Sequence, residues 1–156
     1  MKESKGFIKN IRGSNIDINT NLDLGKLPPQ ALDLEESVLG ALMLEKDALT
    51  NVIDILKPEN FYKDANKEIY QSIIDLFNDS EPIDLLTVTS QLKKNGKLEY
   101  VGGSFYVTQL TTRVNSASNI EYHARIILEQ SIKRQLIEAV SYTNLTLPTT
   151  LVVYIS

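Results

Sequence analysis

The sequence predicts an all-α fold, a compact helical domain ending in one long helix that forms the first half of a helical hairpin. Three observations predict it. Apolar residues recur at spacings of three and four in successive segments between Asp33 and Val140. Those segments are separated by residues that start or stop helices, such as Lys57-Pro58, Pro82 and Gly96. Only residues 141–156 score as strand, and nothing else in the chain offers them a sheet.

Residues 1–27 show no sustained period and are expected to be a disordered leader. Leu27-Pro28-Pro29-Gln30 is a stiff extended entry, because each proline fixes its own φ and disfavours helix in the residue before it. The domain itself is expected at 28–140. Its first helix has Asp33 as a cap and Glu36 three residues on, close to a capping box. Leu34, Val38, Ala41 and Leu42 form its apolar stripe. Gly40 inside that helix costs up to ~1 kcal/mol relative to alanine. It is either a close helix crossing or a tolerated glycine.

Asp47 caps a second helix through Val52, Ile53 and Leu56, which Lys57-Pro58 ends. Phe61-Tyr62 plugs the core from a connector. Asp64 caps a third helix with Ile69, Ile73, Leu76 and Phe77 inward, and Asn78 to Pro82 breaks it. Asp84 caps a fourth, from Leu85 to about Asn95, with Gly96 just past its end. Val101-Gly102-Gly103 turns into a short helix from Ser104 to Leu110. Leu39, Leu42, Phe61, Ile69, Ile73, Leu86 and Phe105 are expected in the core.

The last helix, Asn119 to Val140, is the longest, and Ser118 with Glu121 fits a capping box. Ile120, Ala124, Ile127, Leu128 and Ile132 form one broad apolar face. Tyr122, Ile126 and Ile137 point roughly the opposite way. Two apolar faces need two neighbours: the core, and either another helix or another chain. Tyr122, Ile126, Ile127, Ile132, Leu136 and Ile137 are therefore the candidate subunit or partner interface. At Ser141 charge disappears and threonine becomes frequent. Residues 141–156 are expected to be unstructured. Ser141 to Thr149 looks like translated adaptor read-through, so an artefactual end on a truncated gene is expected.

Composition excludes several chemistries. Cysteine is absent and His123 is the one histidine, so disulfides, thiolate sites and multi-histidine metal sites are excluded. Gly25-Lys26 and Gly96-Lys97 are each followed by leucine and lack a glycine five residues before, so neither is a P-loop. There is no G-x-S-x-G elbow. Glu35-Glu36 reads as a pair of solvated first-turn charges favoured by the helix dipole. His123 lacks i, i+4 geometry with Glu121 or Glu129, and Gly102-Gly103 reads as a tight turn. No catalytic, cofactor or metal site is expected. Residues 28–140 carry 11 basic and 17 acidic groups. That balance argues against a grip on duplex DNA by this domain alone. No apolar run is long enough to span a membrane, and residues 1–27 lack a secretory signal, so a cytoplasmic protein is expected.

A set of ordered motifs then resembles the N-terminal domain of bacterial replicative DNA helicases, the DnaB family. The motifs are LPPQALDLEESVLGALML at 27–44, LKPENFY at 56–62, IY at 69–70 and PIDLLTV at 82–88. GKLEYVGGSFY at 96–106, NSASNIEYHARII at 115–127 and RQLI at 134–137 follow. The resemblance implies a ring-shaped homohexamer that encircles single-stranded DNA and unwinds duplex 5′ to 3′ using ATP. It assigns ATP and magnesium to a C-terminal RecA-like domain. It makes the N-terminal domain a collar that pairs between subunits and docks DNA primase and the helicase loader. In the family a second antiparallel helix completes the hairpin, and this chain departs from that pattern at Ser141. On this resemblance the chain is an assembly domain, not an enzyme by itself, in the bacterial cytoplasm at the replicating nucleoid. The alternative is a stand-alone helical adaptor with no motor.

Overall fold

The computed structural model describes residues 27–114 and 117–155, with side chains as far as Tyr142. The expected leader thus lies outside the described residues, Leu27 excepted. The α-helices described are α1 Leu32–Leu44, α2 Asp64–Asn78, α3 Leu85–Lys94, α4 Leu98–Val101, α5 Gly103–Thr112 and α6 Ile120–Ile155. Short 3-10 turns occupy Ala48–Asn51, Pro58–Asn60 and Ala117–Asn119. Among the described residues there is no strand.

Helix α1 is central, packed on α2, α5 and α6. Val38, Leu39, Ala41, Leu42 and Met43 are all buried, so its apolar surface wraps well beyond one stripe. At Gly40 a Cβ would overlap the Leu110 carbonyl oxygen and the Val114 Cγ2, so the glycine marks a close crossing of α1 and α5. Phe61 plugs the core from its connector, with its ring 4.9 Å from that of Tyr70. The Tyr70 hydroxyl donates to the Leu56 carbonyl at 3.0 Å, which satisfies a polar group inside the core. Leu39, Leu42, Ile69 and Ile73 are buried as expected.

Two expected core residues lie outside. Leu86 is 75% exposed and Phe105 79%. Helix α3 turns Val88 and Leu92 inward, and Leu86, two residues before Val88, points away. Helix α5 turns Val107 and Leu110 inward, and Phe105 is displaced in the same way. Phe77 is also exposed, at the rim beyond Leu76. The expected second helix is one 3-10 turn, Ala48–Asn51, followed by further turns as far as Ile55. Val52 and Leu56 are buried nonetheless.

Helix ends separate into fulfilled and unfulfilled expectations. Asp84 and Thr87 form a reciprocal capping box, with side-chain to backbone bonds of 2.8 and 2.9 Å. Asp33 and Asp64 lie inside the first turns of α1 and α2 rather than capping them. Gly96, at φ 69°, closes α3: its N–H donates to Lys93 and the Lys97 N–H to Leu92. Ser80 closes α2 in the same way at φ 58°, a left-handed position held by a residue other than glycine.

The expected change to an unstructured stretch at Ser141 is not what the backbone does. Helix α6 continues through 141–155. A lone strand would leave its backbone groups unpaired, whereas a helix pairs most of them within the segment, Pro148 having no N–H to donate.

Two substitutions test this packing by chemical denaturation. Ser80→Gly removes a left-handed strain and should stabilise the domain by about 1 kcal/mol. Phe61→Ala should cost about 3–5 kcal/mol. An unchanged midpoint in Phe61→Ala, or a loss of stability in Ser80→Gly, contradicts the placement.

Candidate association surface

The inner face of α6 is fastened to the domain at several levels. Ile120, Ala124 and Ile127 enter the core. One turn later Ser131 is buried, and its Oγ accepts from the Asn60 Nδ2 at 3.1 Å. Asn60 in turn accepts the Lys57 backbone N–H at 2.7 Å. Arg134 donates to the carbonyls of Pro29 and Asn60, both at 2.7 Å, and its guanidinium lies 5.4 Å from the centre of the Tyr62 ring. Charge-assisted bonds of this length are the stronger kind. They hold the entry segment, the Pro58–Asn60 turn and α6 together around an open cleft of about 490 Å³ lined by Leu27, Pro28, Tyr62, Gln135 and Ile137.

Among the described residues the outer face is largely apolar and uncovered. Tyr122, Ile132, Leu136 and Ile137 are exposed, and Ile126 is half-buried. Ile127 does not belong with them. It is 1% exposed, because it continues the inward row of Ile120 and Ala124 at helical spacing. The structure adds Val140, which is exposed. Val140 was legible as the residue four beyond Leu136 on the same face. Between the apolar residues lie two ion pairs, Glu121–Arg125 at 2.8 Å and Glu129–Lys133 at 2.9 Å.

The paired carboxylates of α1 are not solvated. Glu35 is 1% exposed and Glu36 9%. Glu35 accepts the Tyr62 backbone N–H, the Asn66 Nδ2 at 2.9 Å and, at 3.5 Å, the Lys63 N–H. Glu36 pairs with Arg113 and lies 3.9 Å from the Lys63 ammonium. The Tyr106 hydroxyl accepts from Lys63 at 3.0 Å and faces Asn66 at 2.8 Å and Glu36 at 3.4 Å. Neighbouring positions on a helix point about 100° apart. The two carboxylates therefore serve different neighbours, and the cluster joins α1, α2 and α5. Every carboxylate contact in it is an internal bond, so its role is to hold helices together. Among the described residues no helix is long and apolar enough to cross a membrane.

Comparison with known proteins places this geometry. Residues 27–129 match the family described as DnaB-like helicase N terminal domain. The chain is 46% identical over 112 residues to the replicative DNA helicase DnaB of Rhodothermus marinus, covering 72% of this chain and 12% of that protein. It is 44% identical over 118 residues to the replicative DNA helicase DnaC of Bacillus subtilis, covering 76% and 26%. The chain thus spans about a quarter or less of these relatives' length. The crystal structure of the N-terminal domain of DnaB helicase from Mycobacterium tuberculosis superposes with a TM-score of 0.72 at 40% identity, over 74% of this chain and 84% of that one. A DnaB-like replicative helicase, described with its interactions with primase, matches at 0.63 and 25% identity, over 73% and 27%.

The buried phenols make the domain sensitive to alkali. Burial pushes Tyr70 up from its ordinary value. Burial, then the Glu36 charge and hydrogen bond, then the Glu35 charge push Tyr106 up, against a smaller opposite pull from Arg113. Groups raised in the folded state contribute stability that is full below the unfolded value of about 10 and is lost as pH rises above it. Stability should therefore fall from about pH 10 upward, with Tyr106→Phe flattening part of the slope. A denaturation midpoint that holds level between about pH 9 and 11.5 contradicts the burial of these hydroxyls.

Proposed function

The chain belongs to the DnaB-like helicase N-terminal domain family, and from that premise we propose that it is the assembly and partner-docking domain of a bacterial replicative DNA helicase. The observation that carries this reading is the uncovered apolar face of α6, presented by a helix whose other face is locked to the core. A contiguous apolar patch of several hundred Å² commonly marks an interaction surface. Here the exposed or half-buried apolar residues are Tyr122, Ile126, Ile132, Leu136, Ile137 and Val140, with the Glu129–Lys133 ion pair between them.

In this reading the domain does no chemistry. It brings helicase subunits into a homohexamer and gives DNA primase and the helicase loader a surface to dock on. Single-stranded DNA passes through the assembled ring and is not gripped by this acidic domain. ATP and magnesium act in a C-terminal motor domain, outside the matched residues. The helicase matched in structure and described with primase supports the primase contact. The rigidity of the Glu35–Glu36 cluster suits a collar, which must hold its surface in one orientation while a motor moves beneath it.

A chimera tests this. Residues 27–140 replace the matching segment of the Bacillus subtilis relative, with and without Leu136→Asp and Ile137→Asp. The unaltered chimera should form hexamers and unwind forked DNA. The altered one should lose hexamers by about tenfold or more, since a buried unpaired carboxylate costs several kcal/mol, while the domain's own thermal midpoint stays within a few degrees. Hexamers that persist in the altered chimera at the same concentration contradict the assembly reading.

A further inference from the structure

The ten residues from Asp75 to Asp84, at the end of α2 and in the turn after it, contain four acids and no base. Asp79, Glu81 and Asp84 are exposed. Among the described residues neither Asp79 nor Glu81 has an ion-pair partner. The turn that carries them is fixed, because the Ser80 N–H donates to the Phe77 carbonyl and the Glu81 N–H to that of Leu76. Beside it lies an open groove of about 500 Å³ between the end of α2 and the outer side of α3, lined by Leu76, Asp79, Glu81, Leu86, Ser90 and Lys94 among others. Leu86 is 75% exposed, and Phe77, next to Leu76 in the chain, is exposed as well. Lys94 stands eight residues beyond Leu86, about 12 Å along the helix, so the other end of the groove keeps its negative charge. Neither the outer face of α6 nor the Glu35–Glu36 cluster uses these residues.

A complementary segment occurs in the same chain. The leader has no sustained period, but Lys2, Lys5, Lys9 and Arg12 follow at spacings of three, four and three. At 100° per residue they share one side of a helical wheel, while Phe7, Ile8 and Ile11 share another. Glu3 is the one acid among residues 2–12. We propose that residues 2–12 dock in the groove of their own molecule, with Phe7, Ile8 and Ile11 against Leu76 and Leu86 and with Lys9 and Arg12 against Asp79 and Glu81. From Arg12 to Leu27 the chain can extend to roughly 50 Å. A compact domain of this size is roughly 35 Å across, so the groove is within reach. Tethering sets an effective concentration on the order of millimolar, so a weak contact suffices. Exposed ion pairs contribute little each. Apolar burial therefore supplies most of the attraction, and the charges choose the place. The outer face of α6 is a poorer receiver, because its Glu121 and Glu129 are already paired with Arg125 and Lys133. The contact leaves the groove self-occupied: a partner that presents a basic amphipathic segment must displace the leader to enter. The proposal is independent of the assembly reading.

Paramagnetic relaxation in the whole chain tests it. The chain has no cysteine, so Asn10→Cys carries a single nitroxide label. The amides of Phe77, Leu86 and Ser90 should broaden, and those of Ile126 and Leu136 should stay sharp. Labelled chain mixed with unlabelled, isotope-enriched chain should leave the enriched amides sharp, because the contact lies within one molecule. Asp79→Lys with Glu81→Lys should cut the broadening at least about fivefold, and so should Lys9→Glu with Arg12→Glu. All four substitutions together should restore it. Asp79 and Glu81 are exposed, and an unchanged Ile73 amide shift confirms that their variant is folded. High salt should weaken the broadening, since exposed charges are screened. Groove amides that stay sharp in the labelled chain overturn the proposal, and so does broadening that follows the α6 face or survives both charge reversals. Broadening in the mixed sample moves the leader to another copy and overturns the contact within one molecule. Sharp groove amides in a chain that binds phosphatidylglycerol vesicles through Lys9 and Arg12 also overturn it, and assign the basic segment to a lipid surface. None of these outcomes bears on the chimera, which decides the assembly reading separately.

Discussion

Glu35 is buried in the centre of the domain, and among the described residues no cationic side chain pairs with it. An ionised carboxylate away from water is costly unless hydrogen bonds replace its solvent. Here the replacement comes from the Tyr62 N–H, the Asn66 amide and a longer contact to the Lys63 N–H. These groups surround the start of α2, where unpaired N–H groups and the positive end of the helix dipole favour an anion. The charge of α1 thus completes the N-terminus of α2, two elements far apart in sequence. Removing either partner leaves the other stranded. That dependence sets where Phe61 and Tyr62 lie, and much else follows from their position.

Tyr62 lies beneath the Arg134 guanidinium, and Arg134 binds the carbonyls of Pro29 and Asn60. The connector that Glu35 holds is therefore the connector that holds α6. Glu36, one residue on, draws Arg113 and Lys63 toward itself and ties in α5 through Tyr106. The result is a domain whose polar interior is as specific as its apolar core. It leaves α6 fixed along one face and bare along the other. A surface that serves assembly needs this combination, since a helix free to roll would present its apolar residues in many orientations and bind weakly in each.

Helical periodicity made the order of elements legible, and the reciprocal cap at Asp84 and the closure at Gly96 could be read from local chemistry alone. The misplacements share a cause. Leu86 and Phe105 are large and apolar but sit in first turns, where few neighbouring residues define which side is inward. Ile127 was assigned to both faces of α6 because leucine and isoleucine surround the helix on several sides. Its place with Ile120 and Ala124 is settled only by where α1 lies. Glu35 and Glu36 looked like solvated charges because their partners, the Tyr62 and Lys63 amides and Arg113, are distant in sequence. Nothing local distinguishes a first-turn acid in water from one that completes another helix. The family motif LPPQALDLEESVLGALML contains both acids, yet its resemblance identifies the domain without saying what the acids do.

Native-state hydrogen exchange at the Tyr62 amide tests the central claim most directly. That N–H belongs to a connector and its described acceptor is the Glu35 carboxylate, so its protection reports on this one bond. The account predicts that it exchanges only when the whole domain unfolds, with the same opening free energy and denaturant dependence as the Ile73 amide in the core of α2. In Glu35→Ala that protection should fall to the level of an open loop. A Tyr62 amide that exchanges freely in the native protein, while Ile73 stays protected, would contradict the claim that the buried carboxylate holds the fold together.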